Sequence, residues 1–459
     1  MTVDRLNAGF GIATITPDRS LPLAGISGKR FGNQALDNLK VRAIAVTHAD
    51  TTLVLVSVDV LYVSRTFCDQ LGSWLGQNFG ITGDNLLVAA THTHCAPLLF
   101  DRYFQDVLTD NEFTAHAMAG AQSAISTAIE SQSEAVIEFS SSSANVSINR
   151  RAQRLDRVEM RRFRLRRSIA NRPNPRGPVD NTVRTIRFRM RVPDHPDIVL
   201  ISAGCHPSII REDVYSADYP GLIEHHLNEI NSRPAQVLFV QGFSGDSRPL
   251  LLATAPMAVW PPGRGFDWLF DRQKFRKNSL VSDANWVAAT LAKSIAQAPV
   301  APLAALRLSA RRVEVSLALD ETPDFDQLRG LAESESEPEW RQNYARFALA
   351  AYDEGAIVPI RVHRWSLGAA LCIVGLEGEI FSEFSSWMDR EYKDQGLNVV
   401  PAGCVGGMVG YIPTAADLAE GGYEIDRSRT MFGLPSRFAK SVEGALKNGI
   451  KEVFSDSLS

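Results

Sequence analysis

The chain has 459 residues, of which 45% are hydrophobic and 22% charged, with a formal net charge of -4. These values describe a folded globular protein and exclude disordered, collagen-like and disulfide-scaffold classes. The charge gives the chain as a whole no electrostatic reason to bind nucleic acid or an acidic membrane surface.

In chain order, the first strong signal is Leu53–Val58, an apolar, β-branched run that reads as a buried strand. A helical pattern follows over Thr66–Phe79, a second strand-like run over Leu86–Ala90 and a long helical pattern over Glu112–Glu130. Arg150 to Arg191 differs in composition: it holds fifteen arginines and no lysine against Asp156, Glu159 and Asp180. Its centre, NRPNPRGP (Asn171 to Pro178), is expected to be an irregular loop, because its prolines remove donors and fix φ. The region near 150–180 therefore reads as an arginine-rich loop insertion, with a solvated face and a substrate-facing role both open.

Strand-like runs resume at Ile198–Ile201 and Val237–Val240, around a helical pattern over Tyr219–Asn231. The stretch WPPGRGFDW (Trp260–Trp268) has the composition of a lid or pocket wall. A helix is expected over Ser282–Gln297, and an acidic helical insertion near 323–355 with a break at ESESEPEW. Ala369–Val374 is the last clear strand. Strands alternating with helices predict an α/β fold, layered mixed β-sheets flanked by helices, in one domain spanning 1–459.

The cysteines Cys68, Cys95, Cys205, Cys372 and Cys404 are far apart, with no CxxC pair. That pattern fits reduced thiols and a cytoplasmic setting. Leu53 to Val63 contains Asp59 and falls well short of the ~20 residues of a membrane span. The first residues carry no basic segment followed by an apolar one, so no secretory leader is expected.

Chemistry collects where the strands end. Leu86–Ala90 runs into Thr91-His92-Thr93-His94-Cys95-Ala96-Pro97, and Ile198–Ile201 into Ser202-Ala203-Gly204-Cys205-His206-Pro207. Val237–Val240 runs into Gln241-Gly242-Phe243-Ser244-Gly245-Asp246, and Ala369–Val374 into Gly375-Leu376-Glu377-Gly378-Glu379. Ligand sites in open α/β sheets form beyond the carboxyl ends of strands, and histidines with carboxylates suit a divalent transition metal. In extended backbone His92 and His94 point to one side, so they share a cavity as two ligands or as a ligand and a proton carrier. The competing reading is that each histidine is a hydrogen-bonded core residue. Asp59 and Asp218 each read either as a partner of a ligating histidine or as a helix cap. His225 and His226 sit in a helical pattern and read as surface or packing residues, and Cys95 as a small apolar residue.

The strings ATHTHCAP, SINRR, CHP, QGFSGDSRP, LEGE and GYIPTAADLAEGGYE, in this order, resemble the neutral/alkaline (non-lysosomal) ceramidases. The resemblance spans almost the whole chain and implies the ceramidase-like catalytic domain alone. It implies a zinc-dependent amidohydrolase in which His92, His206, Glu379 and Tyr411 hold Zn2+, with Glu377 the residue most easily confused with Glu379. It further implies His94 as the catalytic histidine, with Tyr423 and Arg150 stabilising the oxyanion. The implied partner is a small-molecule or lipid-like amide substrate, and a homo-oligomer is compatible with the sequence.

One departure concerns the family's Gly-Asp-x-Ser-Pro segment, which here is Gly245-Asp246-Ser247-Arg248-Pro249. Asp246, Ser247 and Arg248 are the substrate-binding candidates. Arg248 in place of a small hydroxyl favours a carboxylate or phosphate on a smaller acyl, lactam, lactone or ester substrate. The opposing reading pairs Arg248 with Asp246 or another local acid as loop support. A non-catalytic, metal-containing binding protein is the alternative from another class.

Overall fold

A strand covered on both faces needs apolar residues at consecutive positions, and the central strands have them. In the computed structural model, β1 (Leu6–Thr14), β2 (Lys40–His48), β3 (Thr51–Val58), β4 (Leu86–Ala90), β5 (Ser133–Ser143), β6 (Thr182–Met190), β7 (Asp197–Ala203) and β8 (Ala235–Gln241) form one sheet. Their spatial order is β8-β7-β6-β5-β1-β2-β3-β4, with a short β9 (Val300–Pro302) beside β5. The structure describes residues 6–26, 30–100, 109–159, 164–254, 273–276, 279–303, 307–320, 324–352 and 357–455; the Trp260–Trp268 stretch lies outside these.

The sheet is mixed, as expected. Its two ends are parallel pairs, β3 with β4 and β7 with β8, and the neighbours between them are antiparallel. Parallel neighbours require a crossover, supplied by α1 (Arg65–Phe79) at one end and α3 (Asp218–Ile230) at the other. A second sheet of β10 (Leu308–Ala318), β11 (Ile357–Leu367), β12 (Leu371–Leu376) and β13 (Asn398–Ala402) packs against the first.

Side-chain alternation builds the layers. Leu53 and Leu55 of β3 join Trp365, Leu371 and Ile373 of the second sheet in the inner core. Val54, Val56 and Val58, on the opposite face, pack with Phe67 and Leu71 of α1 and with Ala121 and Ile125 of α2 (Asn111–Glu130). At the other end, α3 and α4 (Val281–Gln297) cover Val199, Ile201 and Val237. Each fully buried Val or Leu contributes roughly 1.5–3 kcal/mol over an exposed one, so polar groups that persist in these layers need another reason to be there.

The opposite ends of the main sheet approach each other. Ser57 Oγ in β3 donates to the carbonyl of Phe239 in β8 at 2.6 Å. The turn after β13 fills the seam, since Ala90 N donates to Cys404 O (3.0 Å) and Gly403 N to Gln241 O (2.7 Å). This closure brings the carboxyl ends of β4, β7 and β8 to one place.

The acidic insertion is a pair of helices, α5 (Phe325–Glu333) and α6 (Glu339–Ala351), broken at 334–338 as expected. They carry a small core of Leu328, Ala332, Tyr344, Ala345 and Ala348. The arginine-rich segment corrects its expectation. Ser147–Glu159 and Arg164–Asn174 pair antiparallel, so Asn171–Asn174 are extended strand and only the second half of the expected loop, from Pro175, is a turn. Pro173 is tolerated because Arg164–Asn174 is an edge strand, where a missing donor breaks no ladder. Among the described residues, no helix is long and apolar enough to cross a membrane.

Candidate metal centre

His92 follows β4 directly and is turned by an unusual backbone. Its φ is 67°, a left-handed conformation that costs a non-glycine residue roughly 1–3 kcal/mol. Hydrogen bonds from Thr91 N to Val58 O (2.9 Å) and from His92 N to Val60 O (3.0 Å) hold it there. The rings of His92 and His94 do converge, with centroids 5.2 Å apart. They do so through this turn and not through the simple extended alternation expected.

His94 Nδ1 sits 2.9 Å from the carbonyl of Gly25. Gly25 has φ 92°, and a Cβ there would lie 2.4 Å from His94 Nδ1; only glycine allows this seat. His206 follows β7, and the loop beyond it is held by Asp218. The Asp218 carboxylate accepts from Ile209 N (2.8 Å), Ile210 N (2.9 Å) and Tyr219 N (2.6 Å). Asp218 therefore supports the His206 loop through backbone donors and does not bond an imidazole in the way its ligand-partner reading required.

The three rings form one buried cluster. His92 and His206 have centroids 4.5 Å apart, and His94 Nε2 lies 3.0 Å from His206 Nε2. One ligand atom from each of His92, His94 and His206 lies within 4.8 Å of the others. Glu379 joins them from a two-residue parallel bridge, Glu379–Ile380 against Tyr411–Ile412. Its Oε1 accepts from the Tyr62 hydroxyl at 2.6 Å, and its Oε2 lies 3.4 Å from His92 Nε2.

Two atoms decide what the cluster suits. His92 Nε2 and Glu379 Oε2 are both buried and have no hydrogen-bond partner. Leaving such groups unsatisfied costs about 1–3 kcal/mol each. Imidazole nitrogens and a carboxylate oxygen facing one point are a donor set that fits zinc or a similar divalent ion. Nearby groups pre-set the ligands: His92 Nδ1 meets Leu61 O at 3.1 Å, and Cys404 Sγ lies 3.6 Å from the same nitrogen. Burial, then repulsion from His92, pushes His94 and His206 well below the ordinary histidine range. Burial opposes ionisation of Glu379, but His92 and Arg150 outweigh it and hold the carboxyl below its usual range.

A second group lies along the Glu379–Tyr411 bridge. The Arg150 guanidinium is 5.3 Å from the centre of the Tyr411 ring, and the Tyr411 and Tyr423 rings are 6.2 Å apart. Arg150 is fixed by bonds from Nε to Glu424 Oε1 (2.8 Å) and from Nη2 to Gly245 O (2.7 Å). Glu424 also accepts from Arg151 Nη1 at 2.9 Å, so one buried carboxylate clamps two arginines. Tyr423 and Glu424 open a π-helical turn, Tyr423–Arg427, a conformation frequent at functional sites. Burial raises both phenols, Tyr411 well above its ordinary value and Tyr423 to about 12.

The structure corrects the substrate-facing expectation for Asp246 and Ser247. Asp246 Oδ1 accepts from Ser382 N (2.9 Å), while Oδ2 accepts from Ser382 Oγ (2.9 Å) and Asn149 Nδ2 (3.0 Å). Ser247 Oγ is fully buried and donates to Gly204 O at 3.0 Å. Arg248 lies over the Phe275 ring at 4.5 Å, and with both Asp246 oxygens taken by Ser382 and Asn149 the reading that pairs it with Asp246 does not hold. Glu377 is held by the Arg65 guanidinium and by Arg361 N (2.8 Å), which leaves Glu379 as the carboxylate at the histidines. Asp59 neither caps α1 nor orients a histidine: it accepts from Arg42 Nη1 and Lys40 N, both at 2.9 Å, and Ser64 caps the helix. Cys95 is buried with its thiol pushed up to about 12 by burial, in keeping with a small apolar role. His225 is exposed on α3, and His226 packs at Asn285.

Sequence reasoning missed Tyr62, Cys404, Gly25 and Glu424. Tyr62 lies in the apolar run from Leu53 to Val63, where an aromatic residue reads as core. Glu424 stands in the GGYE motif beside Tyr423, but its clamp on Arg150 and Arg151 spans more than 270 positions and leaves no local signal.

Two solved structures share this architecture. A neutral ceramidase from Pseudomonas aeruginosa matches with a TM-score of 0.69 at 15% identity, covering 99% of this chain and 74% of that one. The fold is that of neutral ceramidase. A ceramidase complexed with C2 matches with a TM-score of 0.68 at 15% identity, over 96% of this chain and 74% of that chain. No family model matches the sequence, and no curated protein matches it. The neutral ceramidase fold is thus kept at an identity where pairwise sequence likeness has nearly vanished.

Proposed function

We propose that this chain is a metal-dependent hydrolase that cleaves an amide bond. The observation that carries the reading is the pair of orphaned buried atoms, His92 Nε2 and Glu379 Oε2, facing each other beside His206. His92, His206 and Glu379, with Tyr411 alongside, would hold a zinc ion. When bound, such an ion supplies positive charge for a developing oxyanion and acidity for water.

The chain's own groups supply the rest. His94, kept neutral by burial, accepts a proton at Nε2 from the attacking water and delivers it to the leaving nitrogen. Tyr423 donates from its hydroxyl to the oxygen that gains charge. Arg150, clamped by Glu424, keeps a fixed positive charge against Tyr411. Glu379 is oriented by Tyr62 so that only one of its oxygens is left for the ion. The likeness to ceramidases supports a lipid-like amide as the substrate class.

The test separates ligand from proton carrier. Purified protein should contain one equivalent of zinc and lose activity on an N-acyl amide panel, ceramide included, when chelated. His94→Ala should keep the metal and lose roughly 100- to 10,000-fold in rate. Loss of zinc in His94→Ala would make His94 a ligand, and chelation-indifferent activity would remove the metal from the reaction. Zinc-loaded protein inert on the whole panel would favour a binding protein that keeps the site without the reaction.

A further inference from the structure

Two arginines lie beside the histidine cluster with little to neutralise them. Arg30 has a side chain only 10% exposed, yet its hydrogen bonds go to neutral groups. Nη1 donates to the carbonyl of His94 at 3.0 Å, and Nη2 to the carbonyl of Glu212 and to Cys95 Sγ. Among the described residues its ion-pair partner is Asp213, at 3.6 Å and largely exposed. Arg211 is partly buried, and among the described residues its side chain makes no hydrogen bond or ion pair. Both Nε atoms are buried without a hydrogen bond, and Arg30 Nε has only the 3.6 Å ion pair with Asp213.

The two belong to one neighbourhood. Cys95, the residue after His94, donates from Sγ to Ile210 O at 3.1 Å, which ties the Arg211 segment to the end of β4. Asp218 fixes the same segment through Ile209 N and Ile210 N. Arg211 feels burial first, then repulsion from Arg30, and both push it below the ordinary arginine range; Asp218 attracts it too weakly to compensate. A guanidinium held half-dry beside another, with an orphaned N–H, is costly unless something anionic completes it.

We infer that Arg30 and Arg211 form an oxyanion-binding subsite next to the histidine cluster, and that the substrate is an amide carrying a carboxylate. The free guanidinium fork of Arg211 matches a carboxylate bidentately, while Arg30, whose Nη atoms grip the carbonyls of His94 and Glu212, adds positive charge beside it. The subsite thus joins recognition of the charged end to the placement of a catalytic imidazole. This rests on the amide-hydrolase reading above and narrows it from lipid-like amides to acidic ones.

The test uses the zinc-loaded full chain and matched substrates, short N-acyl amino acids and their carboxamides. The wild type should favour the carboxylate form in kcat/KM by roughly tenfold or more, mainly through KM. Arg211→Ala should collapse that ratio toward one, and Arg211→Lys should keep part of it because the charge remains without the fork. A second readout does not need turnover: acetate and inorganic phosphate should raise the melting temperature of the wild type and not that of Arg211→Ala. If no amide is cleaved but anion stabilisation is lost in Arg211→Ala, the hydrolase reading fails and the subsite stands. Equal use of charged and neutral substrates by wild type, or anion stabilisation unchanged in both variants, overturns the subsite.

Discussion

The histidine cluster and the Gly245–Pro249 turn both follow strands of one sheet, and both were candidates for chemistry. They differ in what the protein does with their polar atoms. At the turn, both Asp246 oxygens and the Ser247 hydroxyl are taken by Ser382, Asn149 and Gly204. At the cluster, His92 Nε2 and Glu379 Oε2 are equally buried and have no hydrogen-bond partner, facing each other across 3.4 Å. A buried polar group satisfied from within holds the fold together, whereas one left unsatisfied among ligating side chains marks a place for something else.

The sharpest way to break this contrast is to delete one residue from each region. His92→Ala should abolish metal retention and hydrolysis together while leaving the chain folded, because the backbone hydrogen bonds of Thr91 and His92 that hold the turn remain in place. Asp246→Ala should do the reverse, costing about 2–4 kcal/mol of stability by stranding the donors of Ser382 and Asn149. Zinc content and urea denaturation of both variants check the pair. Zinc loss in Asp246→Ala with no loss of stability would dissolve the distinction.

A milder change probes how the cluster is pre-set. Tyr62 donates to the Glu379 oxygen that faces away from His92, and partners of this kind typically tune metal affinity by ~10–100-fold. Tyr62→Phe should weaken zinc binding by roughly tenfold, read by competition with a chelator, with the melting temperature of the metal-free protein little changed. An affinity equal to wild type would show that Glu379 needs no orienting partner.

The elements legible in the sequence were those whose residues are apolar on every side. Val54 and Leu55 face different layers, yet both are apolar, so β3 announced itself, as did β4, β7 and β8. The antiparallel strand β6, TVRTIRFRM, hid because arginines interrupt both of its faces: Arg187 and Arg189 pair with Asp197 and Glu138 on one, and buried Arg184 pairs with Asp180 on the other. The ligand candidates were visible because histidines punctuate strand ends. Their supports were not, since they depend on the sheet's ends meeting: Cys404 reaches His92 across 312 positions and Tyr62 reaches Glu379 across 317. The setting of Arg248 was not legible from its motif, because its aromatic partner, Phe275, comes from a separate short strand.

The finest test lies in the turn's own titration. Burial, opposed only in part by bonds from Ser382, raises the Asp246 carboxyl to about 7. A raised carboxyl means that the folded chain binds the proton more tightly than the unfolded one. Between the ordinary aspartate range, near 3.8, and about 7, folding therefore takes up a proton at this position. Stability from Asp246 is greatest below that window and declines as pH rises through it, then levels off. Asparagine cannot titrate, so the stability difference between wild type and Asp246→Asn should shift against the wild type from pH 5 to pH 8. Comparing the two chains cancels the contributions of Asp218 and the histidines, which both retain. A difference that stays flat, or moves toward the wild type, would mean that Asp246 is already charged at low pH and that its three donors outweigh its burial.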